Sequence, residues 1–200
     1  MANGSEVYVI DDDEAIRRSL SFLLRTAGLA ARTYESAGVF LDEATTLPPG
    51  CVITDVRMPG IDGIELVRRL AQAKLPLAAI VITGHGDIAL AVEAMKAGAI
   101  DFVEKPFKDE VLLRAVERAL SGGTPADTAT QPHDPAALGR LSRRERQVLE
   151  GVVAGKTSKL IARDLAISPR TVEVHRAGMM MKTGAKSLSE LVRMALLAGL

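Results

Sequence analysis

The chain has 200 residues, enough for one large domain or two small ones, and its 25 Lys+Arg against 25 Asp+Glu leave no net charge. The single cysteine, Cys51, excludes an intrachain disulfide, and without a leader pattern or an apolar run near ~18 residues neither secretion nor membrane spanning is expected, so the cytoplasm is the expected compartment. The charge is unevenly spread: residues 1–120 carry 13 basic and 18 acidic groups (net −5), 121–139 two Asp and no base (net −2), and 140–200 12 basic against 5 acidic groups (net +7). An acidic half suits a cation and a basic half a polyanion.

Residues 6–10 are a short apolar strand that runs into Asp11, Asp12 and Asp13. Three adjacent acids raise one another's pKa or recruit a cation, and Asp13 or a neighbour is placed to cap the next helix. There Ile16, Leu20, Leu23, Leu24 and Ala27 form an apolar stripe that Gly28 closes. Ala30–Tyr34 is a second strand at a sheet edge. Ser36 opens a helix through Phe40 and Leu41, broken by Pro48-Pro49-Gly50.

Cys51–Thr54 is an apolar strand of the kind buried on both faces of a parallel sheet, so Cys51 is a packed thiol. It stops at Asp55, at the carboxyl end of the strand, where open α/β sheets bind ligands. The loop RMPGIDG is followed by a helix with Ile64, Leu66, Val67 and Leu70 inward. A fourth strand ends in Thr83, and Gly84-His85-Gly86 is a loop with His85 in solvent. Asp87 caps a helix running to Gly98, and Phe102–Phe107, a strand and its end, contains Lys105 before Pro106. Lys108–Leu120 is the last helix of this part. Alternating strands and helices predict a doubly wound parallel five-stranded sheet, flavodoxin-like, in the order 2-1-3-4-5. Neighbouring strand ends then bring acids, a hydroxyl and an ammonium to one rim, a set suited to phosphoryl chemistry with Mg²⁺.

The joint pattern DD, D-x-x-M-P-G, T-G and K-P-F resembles the receiver domain of two-component response regulators over residues 1–120. The resemblance makes Asp55 the phosphoacceptor, with Asp12, Asp55 and the backbone carbonyl of Arg57 holding Mg²⁺ and Asp11 acting through water. Thr83 would bond the phosphoryl oxygen, Lys105 would pair with it, and Lys105-Pro106 would be cis. Thr83 and Phe102 form the switch, Phe102 standing where many relatives have Tyr. A dimer face is implied around Val92, Lys96 and Asp101.

Residues 121–139 read as a linker, since Ser121–Pro135 holds two Gly, three Pro and no large apolar residue. Residues 140–200 read as an all-α four-helix domain. Ser142 and Glu145 form a capping box, Thr157–Leu165 is a short helix, Ser168-Pro169 starts the next, and Ser187 with Glu190 makes a second box. Two short helices joined by a tight turn, the second beginning SPRTVEVHR, match a helix-turn-helix. Met179, Met180 and Met181 are expected in the core, His175 is structural, and Gly178 inside a helix costs about 1 kcal/mol relative to Ala.

This stretch resembles the output domain of LuxR-type regulators, and the whole chain a FixJ/NarL-type response regulator, closest to FixJ. Lys159, Arg170, Thr171, Glu173, Val174, Arg176 and Ala177 would then lie on or beside the DNA-facing side. Leu160 departs from relatives that carry an acid or amide there. The implied function is phosphorylation-dependent regulation of transcription. Its partners are a cognate sensor histidine kinase, double-stranded DNA, RNA polymerase as a further candidate, and a second copy of the chain once phosphorylated. It is not an enzyme beyond chemistry on its own Asp55. Whether the halves dock or communicate only by dimerisation stays open. A phosphohydrolase would carry a second acid where Arg57 stands, and an RNA-binding antiterminator would carry stacking aromatics.

Overall fold

The computed structural model describes residues 6–84, 88–121, 135–185 and 187–200. The His85-Gly86 loop, the Asp87 cap and most of the linker lie outside them. The chain divides into two compact units.

The first is a parallel sheet in the order β2-β1-β3-β4-β5. Its strands are β1 (Glu6–Ile10), β2 (Ala30–Tyr34), β3 (Gly50–Asp55), β4 (Leu77–Thr83) and β5 (Asp101–Glu104), with α1 (Glu14–Thr26), α2 (Ala37–Glu43), α3 (Gly63–Gln72) and α5 (Asp109–Leu120); α4 (Ile88–Ala97) connects β4 to β5 in the chain, and its residues up to Met95 group with the second unit. The doubly wound topology expected from the alternation is the one observed. Strand side chains alternate between faces, and Val7, Val9, Cys51, Ile53, Ile80 and Ile82 form one layer packed under Leu20 and Leu24 of α1 and Leu112 and Val116 of α5. Tyr8 and Ile10, on the other face, are equally buried, and Tyr8 stacks with Phe40 at 5.7 Å while donating its hydroxyl to the Pro48 carbonyl at 2.9 Å. β2, at the edge, is mostly exposed. Burial raises the Cys51 thiol pKa, so Cys51 is an inert packing group.

The second unit is all helical: a 3-10 turn (Pro135–Arg140), α6 (Arg143–Val153), α7 (Ser158–Asp164), α8 (Pro169–Thr183) and α9 (Leu188–Leu197). Each helix starts where its cap predicts. Ser142 and Glu145 satisfy each other's end of α6, Thr157 accepts from Leu160 N, Ser168 from Thr171 N with Pro169 in the first turn, and Ser187 from Glu190 N. Two expectations shift. The packed part begins before Arg140, because Ala137 and Leu138 of the 3-10 turn are buried. The methionine run divides: Met179 is buried but Met181 is 81% exposed, since consecutive residues point about 100° apart around a helix. No helix among the described residues is long and apolar enough to cross a membrane.

Candidate phosphoacceptor site and DNA interface

Parallel register assembles the first site. Ile10 lies beside Thr54, Asp55 beside Ile82 and Thr83 beside Glu104, so Asp11, Asp55, Thr83 and Lys105 sit at or just past four adjacent strand ends. The Lys105 ammonium donates to Asp55 Oδ1 at 2.6 Å, and the Arg57 amide donates to Oδ2 at 2.7 Å. Asp11 is 2% exposed. Its Oδ1 accepts from Asp13 N at 2.9 Å, and its backbone carbonyl accepts from the Arg17 guanidinium at 2.6 Å. Burial is the largest effect on the Asp11 carboxyl and pushes its pKa up, with the Asp55 charge adding to it while the Asp13 amide and Lys105 oppose it.

The three acids of the first strand end separate by role. Asp11 is buried beside Asp55, Asp12 is exposed, and Asp13 caps α1 by accepting from Ala15 N at 2.8 Å. The donors are all oxygens, and two repelling carboxylates stand on neighbouring strands, so the set fits a hard divalent cation such as Mg²⁺. Among the described residues no three His, Cys, Asp or Glu side chains make a cage on their own. Such an ion completes its shell with main-chain carbonyls and water.

The loop after Asp55 is folded back by main-chain bonds, Val56 N to the Ile82 carbonyl at 3.1 Å and Gly63 N to the Val56 carbonyl at 3.0 Å. A Cβ at Gly63 would lie 2.1 Å from the Asp55 carbonyl oxygen, so only glycine fits at the start of α3. Thr83 is buried, but its hydroxyl points to its neighbour's carbonyl, Gly84 O, at 3.4 Å rather than to Asp55. Its own carbonyl accepts from Lys105 N at 2.8 Å. Lys105-Pro106 is cis, as the resemblance implied. Phe102 is half-buried beside Val81. Sequence reasoning missed two features. One is the Arg57 amide on Asp55, where only the carbonyl was singled out. The other is Asp101, read as part of a surface but 4% exposed and held by Arg118 of α5; an acid opening a buried strand, with an Arg on the next helix, is the signal that could have found it.

In the helical unit, α7 and α8 form the helix-turn-helix. Val172 and Met179 face the core, while Arg170, Glu173, Val174 and Ala177 are exposed on α8 and Lys159 on α7. Thr171 is half-buried with its hydroxyl on Ser168 Oγ at 2.8 Å. The Arg176 side chain, 19% exposed, turns to Glu173 Oε1 at 3.1 Å and to Ser158 Oγ at 3.4 Å. Behind this face, Glu145 joins two helices: it caps α6 and accepts from Lys182 of α8 at 2.7 Å. The Lys182 bond, ahead of the Ser142 contacts, lowers the carboxyl to about 2 against the opposing effect of burial. Neither Ser158 nor Lys182 drew attention in the sequence, because both act across helices.

Residues 7–117 match the response regulator receiver domain family, and residues 139–195 the luxR family of bacterial regulatory proteins. The chain is 51% identical over 202 residues to the transcriptional regulatory protein FixJ of Bradyrhizobium diazoefficiens, covering 100% of this chain and 98% of the relative. It is 54% identical over 203 residues to FixJ of Azorhizobium caulinodans, covering 100% and 95%. Among solved structures, full-length FixJ from B. japonicum aligns with a TM-score of 0.59 at 50% identity, covering 99% of this chain and 98% of that one.

Proposed function

The chain belongs to the FixJ-type response regulators, phospho-receivers joined to a LuxR-type DNA-binding region that regulate transcription, and from this we propose how its own residues divide that work. Asp55 is the phosphoacceptor. Its carboxylate oxygen attacks the phosphorus of a phosphohistidine on the sensor kinase, the P–N bond breaks, and an acyl phosphate forms. Asp11, Asp12, Asp55 and the Arg57 carbonyl are the residues that would hold Mg²⁺. When bound, Mg²⁺ supplies charge neutralisation for the carboxylates and the transferred group.

Lys105 holds Asp55 in place before transfer and neutralises the phosphoryl charge after it. Thr83 exchanges its weak neighbour contact for the phosphoryl oxygen, and Phe102, with no hydroxyl, follows by packing alone. The modified receiver pairs with a second copy, so that two helical units reach two half-sites. Lys159 and Arg170 meet phosphates, Glu173, Val174 and Ala177 face the groove, and Thr171 and Arg176 stand beside it. RNA polymerase is the downstream partner.

The observation that carries this reading is the ammonium of Lys105 2.6 Å from a strand-end carboxylate with the buried Asp11 beside it. Incubation with acetyl phosphate and Mg²⁺ should add one phosphoryl mass to the protein and none to Asp55→Ala. Full labelling of Asp55→Ala would move the acceptor elsewhere.

A further inference from the structure

An acid on the outward face of a recognition helix approaches a polyanion and costs affinity unless it meets a donor. Glu173 is such an acid, with its side chain 56% exposed. It is also held in place. Oε1 accepts from Ser158 Oγ of α7 at 2.6 Å and from Arg176 Nη1 at 3.1 Å, while Oε2 has only a 3.4 Å contact with the same nitrogen among the described residues. The Arg176 side chain is only 19% exposed in this contact, so the guanidinium of the VEVHR stretch serves to fix the carboxylate. One oxygen is anchored, and the other keeps its lone pairs for an incoming donor. The flanking exposed residues, Val174 and Ala177, offer neither donors nor acceptors in their side chains.

We propose that Glu173 reads sequence: its Oε2 accepts a hydrogen bond from the 4-amino group of a cytosine in the major groove, with Ser158 and Arg176 as positioning residues. This deepens the DNA-binding reading above and rests on it. In the major groove, guanine N7 and O6, adenine N7 and thymine O4 are acceptors and repel a carboxylate; only the amino groups of cytosine and adenine donate. Adenine places its N7 acceptor beside its amino group. Cytosine places only a C–H there, so it is the base a fixed carboxylate selects.

The test is selection of bound duplexes from a random library by the full chain in acetyl phosphate and Mg²⁺, for the wild type, Glu173→Gln, Ser158→Ala and Arg176→Ala, with helix content checked by circular dichroism. The wild type should require a C·G pair at one position of each half-site. In Glu173→Gln that position should shift toward adenine, which a side-chain amide pairs through N6 and N7. In Ser158→Ala and Arg176→Ala the cytosine preference at the same position should fall roughly fivefold or more, with other positions kept. An unchanged motif in Glu173→Gln, with uniformly altered affinity, would make Glu173 a structural ion pair and overturn the proposal. An unchanged motif in both Ser158→Ala and Arg176→Ala would overturn their positioning role. Enrichment of no duplex by the wild type would overturn the DNA-binding reading itself.

Discussion

Lys105 is the residue on which the receiver's electrostatics turn. It is the cation against Asp55 and one of the two influences that restrain the raised pKa of Asp11. Replacing it with alanine leaves two carboxylates repelling each other across neighbouring strands, which favours a divalent cation while removing the partner of the acyl phosphate. Lys105→Ala should therefore bind Mg²⁺ at least as tightly as the wild type in calorimetric titration, yet lose most phosphodonor-driven dimerisation in sedimentation. Loss of Mg²⁺ binding would make Lys105 a structural support instead. Asp55 and Thr83 were legible in the sequence because each ends an apolar run, and a run that stops abruptly marks a strand end; Lys105 was legible because it stands before Pro106, just past the short Phe102-Val103 stretch. The burial of Asp11 rather than Asp12 was not, because the two differ only in which way the backbone turns after Ile10.

The helix caps show what is local and what is not at the scale of elements. Ser142, Thr157, Ser168 and Ser187 could be read directly, since each bonds an amide a few residues ahead. Gly178 could not, because its reason lies on another helix: a Cβ there would stand 2.8 Å from Glu145 Oε1. An ordinary Gly to Ala change inside a helix gains about 1 kcal/mol. Gly178→Ala should instead raise the chemical-denaturation midpoint of the helical unit by less than that gain implies, because the new methyl pushes aside the end of a carboxylate that ties α6 to α8. The pH response follows from the same group. The Glu145 carboxyl lies at about 2 in the folded protein, below its ordinary 4.5, so its contribution is fully present above about 4.5 and is lost as pH falls toward 2. Glu145→Gln should remove that part of the acid sensitivity, measured as a smaller difference between denaturation midpoints at pH 6 and pH 3. An equal difference in both proteins would show that the carboxylate contributes nothing in that range.

For the whole molecule, an acidic part of net −5 and a basic part of net +7 announced two partners before any fold was known; the elements and the parallel sheet followed from periodicity and caps, while the strand order rested on the likeness to flavodoxin-like receivers. The switch residues Thr83 and Phe102 came from the resemblance, but the balance between the two states was not legible, since a sequence carries one set of residues for both, and a difference of a few kcal/mol between them leaves no trace in composition. The basic unit should bind duplex DNA with an affinity that drops steeply as salt rises, each neutralised phosphate releasing a counterion. Modification of Asp55 is expected to control that binding. The most direct measurement is titration of a selected duplex with the full chain at fixed salt, with Mg²⁺ present and acetyl phosphate present or absent, for the wild type and Asp55→Ala. Phosphodonor should tighten binding and make it cooperative between half-sites for the wild type while leaving Asp55→Ala unchanged; equal binding by both proteins under both conditions would contradict it.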